Sequence, residues 1–300
     1  MKLHIPFGQF LREFNAKISE DNVFNGAAAL GFYLTLAIFP AMILTMGLVP
    51  FLPIPRVDMA ITDMLHQALP GDAAGMFTNV VQEVMSKESG GIVSVGALGT
   101  LWAASTGMYA IMQQLNITYD VKEARSFIRA RLVAIALSLL FGLTMLLTFS
   151  LIVLGGIIQD WIGQRFGFSE TLLMFFAVLR WVIIVMSILL AFSLTYYFAP
   201  NVKQQKFKFV TIGGIAATVM LLVASAGFAI YVQRFAEYSA VYGGIGAVVA
   251  LMMWLYIAGL VMLIGSEVNV LVEHHSPEGK EIGERAPGQP AAARPHRQAG

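Results

Sequence analysis

The chain has 300 residues, a formal net charge of +1 and no cysteine, with 57% hydrophobic and 12% charged residues. A soluble domain usually carries about twice this charged fraction. The composition therefore excludes an ordinary soluble enzyme domain. The absence of cysteine excludes disulfides, a CxxC redox pair and thiolate metal sites.

The pattern of residues 1–25 predicts an amphipathic helix that lies on the cytoplasmic surface of the membrane. The apolar residues recur at helical spacing, while Arg12 and Lys17 lie off that face; the apolar set is Phe7, Phe10, Leu11, Phe14 and Ile18. Two interpretations stay open for this helix. It either orients the chain before the first span or binds a partner.

Six long apolar runs dominate the remaining sequence. Each is longer than the ~20 residues that a helix needs to cross the hydrocarbon core of a membrane, and only a helix satisfies its own backbone hydrogen bonds there. The predicted fold is therefore an all-α polytopic membrane domain over residues 26–272. Its spans are 26–52, 92–112, 130–158, 171–199, 210–232 and 244–272.

The first connection is the only long one. Its apolar residues follow a helical rhythm over 57–68 and again over 77–85, with a break at Pro70 and Gly71. The pattern predicts two short amphipathic helices outside the membrane. These helices form either a lid over an opening or a cap in which their own apolar faces are buried.

The distribution of Lys and Arg predicts the topology. The two termini and the second and fourth connections together carry fourteen of these residues, whereas the first, third and fifth connections carry four. Cytoplasmic segments are the ones enriched in Lys and Arg. We therefore expect both termini in the cytoplasm and, in a bacterium, a multi-pass protein of the inner membrane.

The second span carries a polar and aromatic stripe. Its members recur every three or four residues and so share one helix face; they are Gly99, Trp102, Thr106, Tyr109, Gln113 and Asn116. Such a face normally contacts protein or water rather than lipid. The stripe is either a hydrogen-bonded helix-packing interface or the wall of a substrate cavity.

Two ionisable residues lie inside the spans. Arg180 is nine residues into span four, toward the outer side, where it could face an anionic headgroup or reach the interface. Glu267 lies near the cytoplasmic end of span six. We expect it to be a structural anchor that contacts Lys203, Lys206 and Lys208, or Arg129.

Other features of the spans point to packing. Pro40 should kink span one because it removes a backbone donor, and small residues such as Gly243 and Gly246 should allow helices to approach closely. Residues 273–300 are rich in Pro, Gly, Ala and charge and should form a disordered cytoplasmic tail. We expect no metal site, cofactor, catalytic residue or bound nucleic acid, since no P-loop, catalytic set or metal cluster occurs on an ordered segment.

Three segments resemble one known family. Residues 96–121 (GALGTLWAASTGMYAIMQQLNITYDV), the AAALGFYLTLAIFPAMI run of span one, and residues 228–269, which include Glu267 and Asn269, are similar to the YihY/BrkB family of bacterial inner-membrane proteins. The resemblance extends over roughly residues 26–272. It implies six spans, cytoplasmic termini and a role in envelope integrity and lipid transport. An older ribonuclease BN assignment of this family is regarded as mistaken.

These observations predict a permease-like facilitator that moves an amphipathic or anionic envelope lipid without an energy source of its own. Its partners would be membrane lipids, with envelope-assembly proteins or a second copy as further candidates. The alternative is a scaffold for envelope integrity that transports nothing. A ribonuclease is disfavoured because the metal ligands and basic groove that one needs do not occur outside the spans.

Overall fold

The computed structural model describes residues 6–48, 75, 78, 90–166, 169–202, 210–235 and 239–275. Within these ranges the secondary structure is helical and contains no strand, in agreement with the predicted all-α class. The helices are α1 (Phe7–Glu20), α2 (Val23–Leu48), α3 (Gly90–Thr118), α4 (Phe127–Phe166), α5 (Glu170–Phe198), α6 (Ile212–Phe235) and α7 (Ser239–His274).

Each predicted span falls on one helix from α2 to α7. Four segments of the described chain are long and apolar enough to cross a membrane, namely Phe127–Met145, Glu170–Phe198, Ile212–Val232 and Val248–His274. In α2 the apolar segment Val23–Ala37 is shorter. Membrane crossing by α2 and α3 therefore stays a prediction, although both are helices as expected.

The ends of α5 show how local sequence sets helix boundaries. Ser169 precedes the helix, and its hydroxyl accepts a hydrogen bond from the Leu172 backbone nitrogen at 3.4 Å. Glu170 places an acid in the first turn, where the helix dipole favours negative charge. Pro200 follows the last turn and cannot continue the helix.

The chain divides into two compact units. The first comprises Met1–Asp21, Met112–Met220 and Ile264–Gly300. Inside it α6 approaches α7 through glycines, because a Cβ added at Gly213 would overlap the carbonyl oxygen of Gly265. The Gln159 side chain of α4 donates to the Leu173 carbonyl of α5 at 2.9 Å. Small residues thus allow close helix contact in this unit.

The second unit comprises Asn22–Ile111 and Leu221–Leu263. Here α2 packs on α7 through two glycines: a Cβ at Gly31 would lie 3.2 Å from the Tyr256 backbone, and one at Gly259 would lie 3.2 Å from Leu30. Gly107 of α3 faces Leu34 and Tyr33 of α2 at ordinary contact distances. The core of this unit includes Ala27 and Leu30, both fully buried.

Some predictions fall outside the described residues. The two helices expected in the first connection lie there apart from Gly75 and Thr78, which are helical. So do residues 276–300 of the predicted tail and the lysines of the fourth connection. Helix α7 continues two residues past the predicted domain boundary at residue 272, to His274. His275 is held by Glu13, with Nε2 3.2 Å from a carboxylate oxygen.

Candidate functional site

The first unit contains a buried group of charged side chains, here called the Lys17 cluster: Lys17, Asp21, Asp120 and Glu267. The Lys17 ammonium lies 2.6 Å from Asp120 Oδ2 and 3.4 Å from Asp21 Oδ2. Lys17 and Asp21 are each 9% exposed, and Glu267 is fully buried. Charged side chains are seldom buried to this degree unless they are paired, so the cluster is the most unusual polar feature of the unit.

Local structure brings these groups together. Lys17 and Asp21 are four residues apart, which places them on the same side of α1 and its C-terminal turn. Asp120 follows the C-terminus of α3 with a φ of 52°, a left-handed conformation that Asp tolerates better than most residues. In that turn the Val121 nitrogen donates to the Asn116 carbonyl. The turn thereby points the Asp120 carboxylate at Lys17.

Burial and charge perturb the titration of the groups on α1. Burial acts to lower the pKa of Lys17, but the hydrogen bond to Asp120 and the charges of Asp21 and Asp120 outweigh it and raise the pKa. Lys17 is therefore protonated at neutral pH. Burial raises the pKa of Asp21 to about 6, although the ammonium of Lys17 opposes this shift.

Glu267 of α7 faces other members of this cluster. Its polar neighbours are Asp21, Lys17 and Thr118. Arg129, one of the predicted partners, is exposed. Neither carboxylate oxygen of Glu267 accepts a hydrogen bond of ordinary geometry within the described chain. A buried carboxyl without a donor is costly when ionised. The expected contact with the lysines of the fourth connection falls outside the described residues and stays a prediction.

A second polar group, here called the Arg125 joint, connects the end of α3 with the end of α5. The Arg125 guanidinium forms two hydrogen bonds with Glu123, at 2.8 and 2.7 Å. It also donates to the carbonyl oxygens of Phe198 and Ala199 at 3.2 and 2.7 Å. These carbonyls end α5 and have no partner within the helix. The joint therefore caps the C-terminus of α5 and pairs the part-buried guanidinium of Arg125 with the Glu123 carboxylate.

Asn116, the last member of the predicted stripe, belongs to this joint. It is 4% exposed; its amide donates to Glu123 at 3.1 Å, and its oxygen accepts from the Asn201 nitrogen at 2.7 Å. Burial acts to raise the pKa of Glu123, but the hydrogen bonds from Arg125 and Asn116 outweigh it and hold the pKa below its ordinary value. Asn116 therefore contacts protein at the base of the stripe.

The remainder of the stripe is open. Gly99, Trp102 and Gln113 are exposed, with 64% of Trp102 accessible, whereas Thr106 and Tyr109 are half-buried. A Cβ at Gly99 would meet no atom within 4 Å. The Thr106 hydroxyl donates to the Trp102 carbonyl of its own helix at 2.8 Å. This face of α3 is therefore accessible along the part from Gly99 to Gln113.

Arg180 lies against a glycine pair on α4. A Cβ at Gly155 would overlap the Arg180 Cδ atom, and one at Gly156 would lie 3.2 Å from Nη1. The Arg180 Nε is buried and donates to no acceptor in the described chain. The two glycines make room for the arginine stem, while the guanidinium retains an unused donor.

The other residues singled out in the sequence occupy helices. Pro40 lies in α2, with its side chain outside the described set, and Gly243 and Gly246 lie in α7. The Asn269 side chain accepts a hydrogen bond from the Gly213 nitrogen at 2.8 Å. It thus satisfies one of the free backbone donors at the start of α6.

Sequence reasoning missed the Lys17 cluster and the Arg125 joint. Lys17 was predicted to lie off the apolar face of the N-terminal helix, and its burial was not predicted. The signal that could have found it is the pair Lys17 and Asp21 at i, i+4, directly before a membrane span. No such signal exists for Asp120, which is 103 residues from Lys17 in the chain.

Comparison with known proteins decides the family. A sequence model described as Virulence factor BrkB matches residues 15–289. The chain belongs to the BrkB family. This membership confirms the resemblance found in spans one, two and six, and it makes the chain a membrane protein. No solved structure matches the chain.

Curated relatives cover nearly the whole length of this BrkB-family chain. YfkH of Bacillus subtilis, which is named ribonuclease-like, is 34% identical over 88% of the chain and 94% of its own length. UPF0761 membrane proteins of Vibrio vulnificus and Aeromonas salmonicida are 26% and 24% identical. The alignments cover 89% and 92% of the chain and 84% and 93% of those relatives.

Proposed function

We propose that this protein is a multi-pass facilitator of the bacterial inner membrane that accommodates an amphipathic, anionic lipid of the envelope. The six apolar helices, the charge asymmetry between alternate connections and membership in the BrkB family support this placement. The proposal also places both termini in the cytoplasm.

The accessibility of the stripe on α3 is the observation that carries the proposal. A hydrogen-bonded helix-packing interface would bury its polar and aromatic members, as it does Asn116. The segment from Gly99 to Gln113 instead keeps Trp102 and Gln113 exposed. An amphipathic aromatic ring beside the Thr106 hydroxyl suits a ligand with an apolar chain and a polar headgroup.

Arg180 supports the anionic character of the lipid. A guanidinium is the preferred partner of phosphate and carboxylate because of its planar fork of donors. In this chain the Arg180 stem is seated against Gly155 and Gly156, and its Nε donor is unused in the described part. Arg180 is half-buried, so the proposal has an anionic headgroup meet the exposed part of the side chain rather than the buried Nε.

Lipid exchange between leaflets of proteoliposomes tests the proposal. Reconstituted protein should accelerate the exchange of a fluorescent anionic phospholipid, and Trp102→Ala should reduce the acceleration several-fold. Phe175→Ala is the matched control, since Phe175 is an aromatic of 59% exposure on α5 outside the stripe. Arg180→Gln should slow the anionic lipid more than a zwitterionic one.

Exchange no faster than in protein-free vesicles, for several headgroups, would contradict the proposal and favour the envelope scaffold. The name of YfkH raises a separate question, which incubation of the purified protein with RNA answers. We expect no cleavage in the presence of Mg²⁺ or Mn²⁺.

A further inference from the structure

The carboxyl of Glu267 is buried beside a second carboxyl, that of Asp21. Glu267 is fully buried, and neither of its oxygens accepts a hydrogen bond of ordinary geometry in the described chain. The Thr118 hydroxyl faces the Glu267 carboxyl and also lies 3.3 Å from the Gln114 carbonyl oxygen, which competes for its single proton. The remaining polar neighbour within hydrogen-bonding reach is the carboxyl of Asp21.

Two carboxyls in such contact cannot both ionise without strong repulsion, and a shared proton converts the repulsion into a hydrogen bond. Lys17 does not remove this requirement. Its ammonium makes its short contact, 2.6 Å, with Asp120 and a longer one, 3.4 Å, with Asp21. One positive charge therefore faces three carboxyls, two of which touch each other.

We propose that Asp21 and Glu267 form a proton-binding site, in which one proton is shared between the two carboxyl groups. The ligand is a proton and not a metal cation for two reasons. The ammonium of Lys17 already occupies the cationic position beside Asp21 and repels a second cation. The described residues also contain no group of three or more acidic or histidine side chains arranged to hold a metal ion.

The shared proton fastens α1 to α7. Asp21 follows the last turn of α1, and Glu267 lies within α7. The charged groups that face the pair are Lys17 from α1 and Asp120 from the turn after α3. A separate titratable contact between the same helices joins Glu13 to His275 at 3.2 Å. Loss of the shared proton leaves two adjacent negative charges and weakens the attachment of α1.

The position of the site allows exchange with water. Glu267 lies in the apolar segment Val248–His274, whereas α1 precedes the apolar helices. Movement of α1 would expose the carboxyls to the aqueous phase, where the proton can leave. The site would thus couple the position of α1 to pH on the side of the membrane that carries the N-terminus.

Infrared spectroscopy of the full chain in lipid nanodiscs tests the site. A protonated buried carboxyl gives a C=O band, distinct from that of a carboxylate, which shifts in heavy water. We expect this band in the wild type at mildly acidic pH, and we expect it to disappear as pH rises. Glu267→Gln should remove the band. Asp21→Asn should shift its frequency and the pH at which it disappears, whereas Glu20→Gln, at an exposed acid at the end of α1, should leave both unchanged.

Two variants keep the test decisive if one of them does not fold, because each removes one half of the pair. Absence of a titrating band in the wild type, its persistence in folded Glu267→Gln, or an unchanged band in folded Asp21→Asn would overturn the site. Displacement of the band by Na⁺ at constant pH would also overturn it, in favour of a cation site. The measurement needs no lipid exchange, so its result is independent of the transport proposal.

Discussion

Buried charges near the N-terminus dominate this protein at the scale of single residues. Lys17 lies between Asp21 and Asp120, and Asp21 lies beside Glu267. Removing one partner of a buried pair typically costs about 3–5 kcal/mol, because the other charge stays buried and uncompensated. The cluster therefore matters for stability as well as for the proton site proposed above.

Asp21 makes the stability of the fold depend on pH in an unusual direction. Its pKa is raised from 3.8 to about 6, so the folded state binds more protons than the unfolded state between these values. Its contribution to stability is therefore present at low pH and is lost as pH rises through about 6. The shift corresponds to roughly 3 kcal/mol at about 1.4 kcal/mol per pKa unit.

We predict that the stability of Asp21→Asn relative to the wild type increases as pH is raised from 4 to 7. Thermal unfolding in detergent at several pH values measures this difference. Glu20→Gln is the control and should show a constant difference, since Glu20 is exposed. A constant difference for Asp21→Asn as well would contradict the burial of this carboxyl.

Arg125 offers a second test at this scale. We predict that Arg125→Lys destabilises the fold by about 1.5–3 kcal/mol, because a lysine cannot pair with Glu123 through two donors while also reaching two carbonyls. Arg129→Lys is the matched control, because Arg129 is exposed. Equal melting temperatures for the two variants would show that the joint adds nothing to stability.

At the scale of helices, glycines decide which elements can touch. Gly213 of α6 and Gly265 of α7 face each other so closely that a Cβ on either would overlap atoms of a neighbouring helix. Gly213 and Ala217 are four residues apart, a small-residue pattern that favours close helix packing. It did not reveal the partner, since Gly265 lies 52 positions further along the chain.

We predict that Gly213→Ala destabilises the fold by about 1–3 kcal/mol, since the added methyl meets backbone and Asn269 rather than a flexible side chain. Gly227→Ala on the same helix has open space around its Cβ. It should be neutral or stabilising by up to about 1 kcal/mol through helix propensity. Comparison of the two unfolding temperatures in detergent measures the effect, and equal values would exclude the close approach.

At the scale of the whole molecule, the distribution of charge directs insertion into the membrane. Fourteen Lys and Arg residues fall in one set of alternate segments and four in the other. Long apolar helices with this bias orient with the basic segments in the cytoplasm. The number of spans then decides whether both termini lie on the same side.

We predict that fusions of green fluorescent protein to either terminus are fluorescent in a bacterial host. Alkaline phosphatase inserted after Gly71, in the long first connection, should be active outside the cytoplasm. An inactive insert together with two fluorescent termini would mean that α2 does not cross the membrane. A dark fusion at one terminus only would indicate an odd number of spans.

The sequence alone determined the helical class, the positions of the apolar helices and the family, because apolar length and small-residue spacing are local properties of the chain. It indicated the stripe on α3, since helical periodicity places those residues on one face. The tertiary structure alone decided that Asn116 is buried in a joint and that Lys17 turns inward. It also decided that Glu267 meets Asp21. Contacts between residues distant in the chain depend on how helices pack, and no short-range pattern encodes that packing.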